Sequence, residues 1–143
     1  MKSIHILLVE DNEGDILLTT EFLEDEKIVN TISIVRDGKQ AIDFLNRAGK
    51  YHTVELPDLI LLDINLPRKN GHEVLQYIKS AAHLKHMPVI ILTTSSAEKD
   101  INQSNYNLAD GYITKPLEVG DFLSALENIS DFSFTIDQIR ESK

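Results

Sequence analysis

Two short, uninterrupted apolar runs, each followed at once by acidic residues, constrain the fold more than any other feature. Residues 6–9 and 59–62 each contain four apolar side chains in a row, which is typical of a parallel strand buried on both faces. Glu10 and Asp11 follow the first run, and Asp63 follows the second. Ligands of open α/β sheets bind at the carboxyl ends of strands. If the two strands are neighbours, three carboxylates converge there, which predicts a site for a hard divalent cation and a carboxylate able to accept a phosphoryl group.

The rest of the sequence alternates between strand and helix patterns. Apolar or β-branched runs predict five strands, over residues 5–9, 31–35, 58–62, 89–92 and 111–114. Helical spacing predicts five helices, over residues 12–24, 40–48, 71–81, 97–108 and 119–129. Asn12 or Asp15 could cap the first of them. The buried faces expected for the first three helices are Ile16, Leu17, Thr20, Phe22 and Leu23; Ala41, Ile42, Phe44 and Leu45; and Val74, Leu75 and Ile78. This order predicts one α/β domain over residues 1–130, a five-stranded, doubly wound parallel sheet covered on both faces.

The composition limits the classes of function. A chain of 143 residues with 42% hydrophobic and 26% charged residues is typical of a globular domain. Cysteine is absent, which excludes disulfides and a cysteine nucleophile and fits a cytoplasmic protein. The net charge of −9 argues against direct binding to nucleic acid. We recognise no signal peptide, and no run approaches the roughly 18 apolar residues of a membrane span.

Polar residues also follow the other predicted strands. The tetrapeptide Thr93-Thr94-Ser95-Ser96 follows the fourth strand, Lys115-Pro116 follows the fifth, and Asn65 lies two residues beyond Asp63. In a parallel sheet all of them meet at one edge. The set then contains acids for a cation, a carboxylate nucleophile, a hydroxyl donor and an ammonium group, which together are suited to phosphoryl transfer.

These motifs occur in a familiar order. They are Glu10-Asp11-Asn12, Asp63-Ile64-Asn65-Leu66-Pro67, Gly71, Thr93-Thr94 and Gly111-Tyr112-Ile113-Thr114-Lys115-Pro116. In order and spacing, residues 4–129 resemble the receiver domain of two-component response regulators, which implies a flavodoxin-like (βα)5 fold. Residues 66–75 and 92–95 are similar to a subgroup of small single-domain receivers that includes the partners of bacterial phytochromes.

The resemblance implies a role for each matched acid. Asp63 would be the phosphoacceptor, attacking a phosphohistidine on a sensor histidine kinase or a histidine phosphotransfer protein. Glu10 and Asp11 would hold Mg²⁺, together with Asp63 and the backbone carbonyl of Asn65. Such a protein catalyses only its own phosphorylation and dephosphorylation.

The resemblance also implies a switch. Thr93 would donate a hydrogen bond to one phosphoryl oxygen, and Lys115 would pair with another. Tyr112 would move inward when Thr93 moves, and the peptide bond before Pro116 would be cis. The output surface would then consist of the helix over residues 97–108, the fifth strand and the last helix.

Two other classes of function share parts of this pattern. A haloacid-dehalogenase-type phosphatase also uses a strand-end Asp, Mg²⁺, a hydroxyl and a Lys, but it needs a second Asp where this chain has Asn65. A flavodoxin-like cofactor protein needs a phosphate loop after the first strand, where Glu10-Asp11-Asn12-Glu13 would repel a phosphate.

Each site residue also has an ordinary structural interpretation. Asp63 alone could cap a helix, Glu10 and Asp11 could be solvated turn residues, Lys115 could be an exposed lysine, and Tyr112 could be a core or edge aromatic. Their occurrence at four strand ends favours the functional interpretation. Thr93 is preferred over Thr94 because it directly follows the apolar run.

Arg68-Lys69 could steer an acidic partner or form a solvated basic turn. None of the five histidines shows a metal-site spacing with acids, and we interpret the pair His83 and His86 as surface residues; the other three are His5, His52 and His72.

The chain departs from the commonest receiver pattern in two ways. Thr94 stands where a very small residue is usual, and it could narrow access to Asp63 and alter dephosphorylation. No output domain is expected after Ile129, so the signal should pass by protein contact or by phosphorelay.

The segment 131–143 is either a tail or an extension of the last helix. Its apolar residues should pack on their own domain or form a homodimer contact, and they are Phe132, Phe134, Ile136 and Ile139.

Overall fold

Strands and helices alternate along the chain in the computed structural model, which describes residues 4–25, 29–64, 66, 70–94 and 109–129. The strands are β1 (Ile4–Val9), β2 (Val29–Val35), β3 (Leu59–Asp63), β4 (Val89–Thr93) and β5 (Gly111–Thr114). The helices are α1 (Glu13–Glu24), α2 (Gly38–Leu45), α3 (Gly71–Ser80) and α4 (Val119–Glu127), with a short 3₁₀ helix at Gly49–Tyr51. Within these ranges, no helix has the length and apolar character needed to cross a lipid bilayer.

The five strands form one parallel sheet in the order β2-β1-β3-β4-β5. Register aligns their carboxyl ends, since Val9 lies opposite both Val35 and Leu62. Asp63, the last residue of β3, lies opposite Leu92 of β4. The predicted fold class is therefore confirmed, and the residues that follow β1, β3, β4 and β5 share one edge of the sheet.

Buried apolar side chains fill both faces of the sheet. All residues of β3 and β4 are buried, which accounts for their continuous apolar runs. On one face, Leu23 of α1 and Phe122 of α4 belong to the same core cluster. On the other face, Phe44 of α2 and Val74 of α3 belong to a second cluster. The helices thus cover the sheet on both sides, as a doubly wound fold requires.

The buried face of α1 differs from the predicted one. Ile16 and Leu23 are buried as expected, but Leu17 is 59% exposed and Thr19 is buried in its place. At about 100° per residue, the stripe through residues 16, 19 and 23 excludes position 17. The prediction that Leu17 is buried is wrong, because residues 16–18 are all apolar and their hydrophobicity alone does not fix which of them faces the sheet.

The helix caps account for the observed starting points of α1 and α2. Asn12 is the N-cap of α1, and its side chain accepts a hydrogen bond from the N–H of Asp15 (2.9 Å). Asp37 caps α2 through the N–H of Gln40 (2.8 Å), so that helix begins earlier than predicted. In both cases a side-chain oxygen satisfies an N–H that has no partner within the helix.

Several predictions fall on residues outside the described ranges. The segments among them are the helix over residues 97–108 and the tail over residues 131–143. The individual residues among them are Asn65, Pro67, Arg68, Lys69, Ser95 and Ser96.

Candidate functional site

Glu10 is fully buried directly after β1. Its N–H donates to the carbonyl of Val35 (3.0 Å), which extends the hydrogen bonding between β1 and β2 by one residue. The residue is 0% exposed, whereas Asp11 beside it is exposed. A buried carboxylate is stable only with polar or cationic partners. Glu10 therefore depends on the groups that neighbouring strands bring to it.

Asp63 is the last residue of β3 and is 4% exposed. One oxygen each from Glu10, Asp11 and Asp63 lie within 4.8 Å of one another. The structure thus brings together the three carboxylates that the sequence predicted would converge. Three carboxylate oxygens this close suit a hard divalent cation, which offsets their mutual repulsion.

Gly71 fixes the main chain that carries Asp63. Gly71 is the first residue of α3, and its N–H donates to the carbonyl of Ile64 (3.0 Å). A Cβ atom on residue 71 would lie 2.6 Å from the Cα of Ile64 and 2.7 Å from the carbonyl oxygen of Asp63. Only glycine allows this approach between two segments of main chain.

Lys115 supplies the positive charge of the site. Its ammonium nitrogen lies 2.5 Å from Oε1 of Glu10, 3.1 Å from Oδ2 of Asp15 and 3.6 Å from Oδ1 of Asp63. Burial by itself lowers the pKa of Lys115, but the hydrogen bond to Glu10 and the charge of Asp63 outweigh it, so that the pKa is raised above its usual value. Lys115 is therefore a fixed cation at neutral pH.

The backbone around Lys115 joins β5 to β4. The N–H of Lys115 donates to the carbonyl of Thr93 (2.8 Å). The peptide bond between Lys115 and Pro116 is cis, as the resemblance implied.

Thr93 is fully buried at the end of β4, Thr94 is exposed, and Tyr112 on β5 is 45% exposed. Thr93 therefore lies on the same sheet edge as Asp63, and the ring of Tyr112 is partly turned to solvent.

Asp15 belongs to the site but was considered from the sequence only as a possible helix cap. Asn12 provides that cap, and the Asp15 carboxylate instead contacts Lys115 (3.1 Å). One signal in the sequence could have identified it. Asp15 stands three residues after the cap Asn12, in the first turn of a helix that begins at the edge of the sheet where the site lies.

The family model described as the response regulator receiver domain matches residues 6–127. The chain belongs to the response regulator receiver family. It is similar to Response regulator Rcp1 of Synechocystis sp. (strain ATCC 27184 / PCC 6803 / Kazusa), with 42% identity over 127 residues, covering 89% of this chain and 86% of that protein.

Two solved structures extend the comparison. The phosphorylated cyanobacterial phytochrome response regulator RcpA is 42% identical with a TM-score of 0.73, covering 91% of this chain and 93% of that one. The Mn²⁺-bound form of Rcp1 is 40% identical with a TM-score of 0.73, covering 93% and 94%.

Family membership decides among the three classes of function that the sequence left in competition. It favours a two-component signalling protein over a haloacid-dehalogenase-type phosphatase and over a flavodoxin-like cofactor protein. The cluster of Glu10, Asp11 and Asp63 fits the metal site of a receiver domain, because all three offer the hard oxygen ligands that divalent cations prefer.

Proposed function

We propose that this protein accepts a phosphoryl group on Asp63 from a phosphohistidine, carried by a sensor histidine kinase or by a histidine phosphotransfer protein. One observation carries the proposal. A buried, strand-end carboxylate lies within 4.8 Å of two further carboxylates and 3.6 Å from a lysine ammonium. That arrangement provides a nucleophile together with the charges needed to bind a phosphoryl group.

The transfer is a single displacement at phosphorus. An Oδ oxygen of Asp63 forms a bond to phosphorus as the P–N bond breaks, and the electron pair of the P–N bond leaves with the imidazole nitrogen. The products are an aspartyl phosphate and a histidine. Glu10, Asp11 and Asp63, with the backbone carbonyl of Asn65, would hold Mg²⁺, which when bound offsets negative charge on the phosphoryl oxygens. Lys115 offsets the remaining charge at a second oxygen.

Thr93 and Tyr112 transmit the phosphorylation of Asp63 to the protein surface. The Thr93 hydroxyl donates to a phosphoryl oxygen, and the ring of Tyr112, now 45% exposed, moves inward behind it. Ordering these residues by new hydrogen bonds biases a two-state element. The surface that changes comprises β5, α4 and the helix expected over residues 97–108.

The similarity to a phytochrome response regulator supports a phytochrome-type sensor kinase as the phosphodonor. The Mn²⁺-bound relative supports occupation of the acidic cluster by a divalent cation, for which we propose Mg²⁺. The signal then leaves by protein contact or by further phosphoryl transfer.

The Asp63→Asn variant is expected to abolish phosphorylation, because an amide oxygen is too weak a nucleophile to replace the carboxylate. Wild-type protein incubated with phosphoramidate and Mg²⁺ should show a retarded band on a Phos-tag gel. Excess EDTA should remove that band. Asp43→Asn is the matched control, since Asp43 lies on α2 and pairs with Lys39 (3.0 Å) away from the site. A retarded band of full intensity from Asp63→Asn would contradict the proposal.

Mg²⁺ binding should depend more on Asp11 than on the side chain of Asn65. Asp11→Ala removes a carboxylate of the acidic cluster and should weaken Mg²⁺ binding by about tenfold or more. Asn65→Ala keeps the backbone carbonyl and should have a much smaller effect. Calorimetric titration of the unphosphorylated proteins measures both dissociation constants, and equal losses would show that the ligand assignment is wrong.

A further inference from the structure

The three carboxylates around Lys115 differ sharply in their access to water. The side chain of Asp15 is 36% exposed, whereas those of Glu10 and Asp63 are 1% and 6% exposed. A buried carboxylate that loses its cation has no water to replace it, and the cost is high. A partly exposed carboxylate is solvated when its cation leaves. Asp15 is therefore the partner that Lys115 can give up most easily.

The local structure of α1 leaves the Asp15 carboxylate available for this contact. Asp15 is the third residue of α1, the position whose acidic side chain often bonds back to the N–H of the N-cap. In α3, Glu73 makes that bond to Asn70. In α1, Glu10 accepts from the N–H of the N-cap Asn12 instead (3.3 Å). Asp15 is thereby released from capping and reaches Lys115.

The surroundings also give Asp15 room to move. It lines an open cavity of about 470 Å³, together with Leu18, Thr94 and Lys115. The side chain can therefore turn away from Lys115 without displacing a packed residue. Neither Glu10 nor Asp63 lines this cavity.

We propose, resting on the function proposed above, that Asp15 is a positioning residue for Lys115. It holds the ammonium group on the α1 side of the site while Asp63 is unphosphorylated. When Asp63 carries a phosphoryl group, a phosphoryl oxygen takes the place of Asp15 and Lys115 stays bound to Glu10. Asp15 thus opposes phosphorylation by competing for the same cation.

The Asp15→Asn variant tests this exchange through two readouts. At a fixed, subsaturating concentration of phosphoramidate with Mg²⁺, the phosphorylated fraction should rise about two- to fivefold, the range expected for a partly exposed ion pair. The ¹⁵Nζ resonance of Lys115, assigned with Lys115→Arg, should shift in the unphosphorylated variant relative to wild type. With Mg²⁺ and beryllofluoride, a phosphoryl mimic, the variant and wild type should give the same resonance.

Two further variants separate the ion pair from general charge effects. Glu13→Gln removes an acid from the same turn of α1, but Glu13 pairs with Arg36, so both readouts should match wild type. Asp15→Glu keeps the charge and should return both readouts toward wild type. An unchanged Lys115 resonance in Asp15→Asn, or a difference that persists with beryllofluoride, would overturn the exchange.

The proposed function fails separately. Wild-type protein that takes no phosphoryl group in the presence of Mg²⁺ would overturn the phosphoacceptor role, and the exchange at Lys115 with it. Phosphorylated wild-type protein with an Asp15→Asn variant that behaves identically would overturn only the role of Asp15.

Discussion

Gly71→Ala should destabilise this protein by about 3 kcal/mol or more, at the upper end of the cost of overpacking. The added Cβ would lie 2.6 Å from the Cα of Ile64 and 2.7 Å from the carbonyl oxygen of Asp63. Both are main-chain atoms, so no rotamer change relieves the overlap and the β3–α3 connection must move. Urea denaturation monitored by circular dichroism measures the loss. Any folded fraction should also be phosphorylated poorly, because the displaced backbone carries Asp63.

Gly120→Ala provides a matched comparison. Gly120 lies in the first turn of α4, and a Cβ there meets nothing within 4 Å. Alanine should therefore leave stability unchanged or raise it by up to about 1 kcal/mol, since it reduces the entropy of the unfolded chain. Equal denaturation midpoints for Gly71→Ala and Gly120→Ala would show that the close approach at Gly71 is not a constraint.

The sheet and its functional edge could be predicted from sequence because the signals are local. The uninterrupted apolar runs of β3 and β4 mark strands buried on both faces, and acids or hydroxyls placed directly after them must lie at their carboxyl ends. Once the strands are parallel neighbours, the meeting of Glu10, Asp11 and Asp63 follows from topology.

The orientation of side chains on α1 could not be predicted in the same way. Residues 16–18 are all apolar, and a helix of 12 residues offers few turns with which to fix the phase of its buried stripe. Hydrophobicity therefore favours Leu17 as a core residue, although it is 59% exposed.

The contact between Asp15 and Lys115 was missed for a different reason. It depends on Glu10 bonding to the N–H of Asn12 and on the path of the chain after β5, which brings residues 100 positions apart together. Pattern and spacing place Asp15 in the first turn of α1 but do not identify Lys115 as its partner. The same holds for Gly71, whose place in the sequence gives no sign of how closely it approaches Ile64.

Lys115→Met should destabilise the protein by about 3 kcal/mol in EDTA, because it leaves Glu10 buried without its cation. The same change removes the charge that offsets Asp63. Mg²⁺ should restore stability more in this variant than in wild type, since a bound cation would replace part of the lost charge. Thermal denaturation with EDTA and with increasing Mg²⁺ measures both effects. A variant as stable as wild type in EDTA would show that Lys115 does not stabilise the acidic cluster.

Lys39→Met is the control for this change, because Lys39 also pairs with a carboxylate but on the surface of α2. Its loss should cost no more than about 0.5 kcal/mol, and this cost should not change with Mg²⁺.

The raised pKa of Lys115 makes its contribution to the free energy of unfolding depend on pH. Its contribution is fully present below the unfolded pKa of about 10.4 and disappears as the pH rises through the higher folded value. The difference in stability between wild type and Lys115→Met should therefore hold at neutral pH and shrink only in strongly alkaline solution.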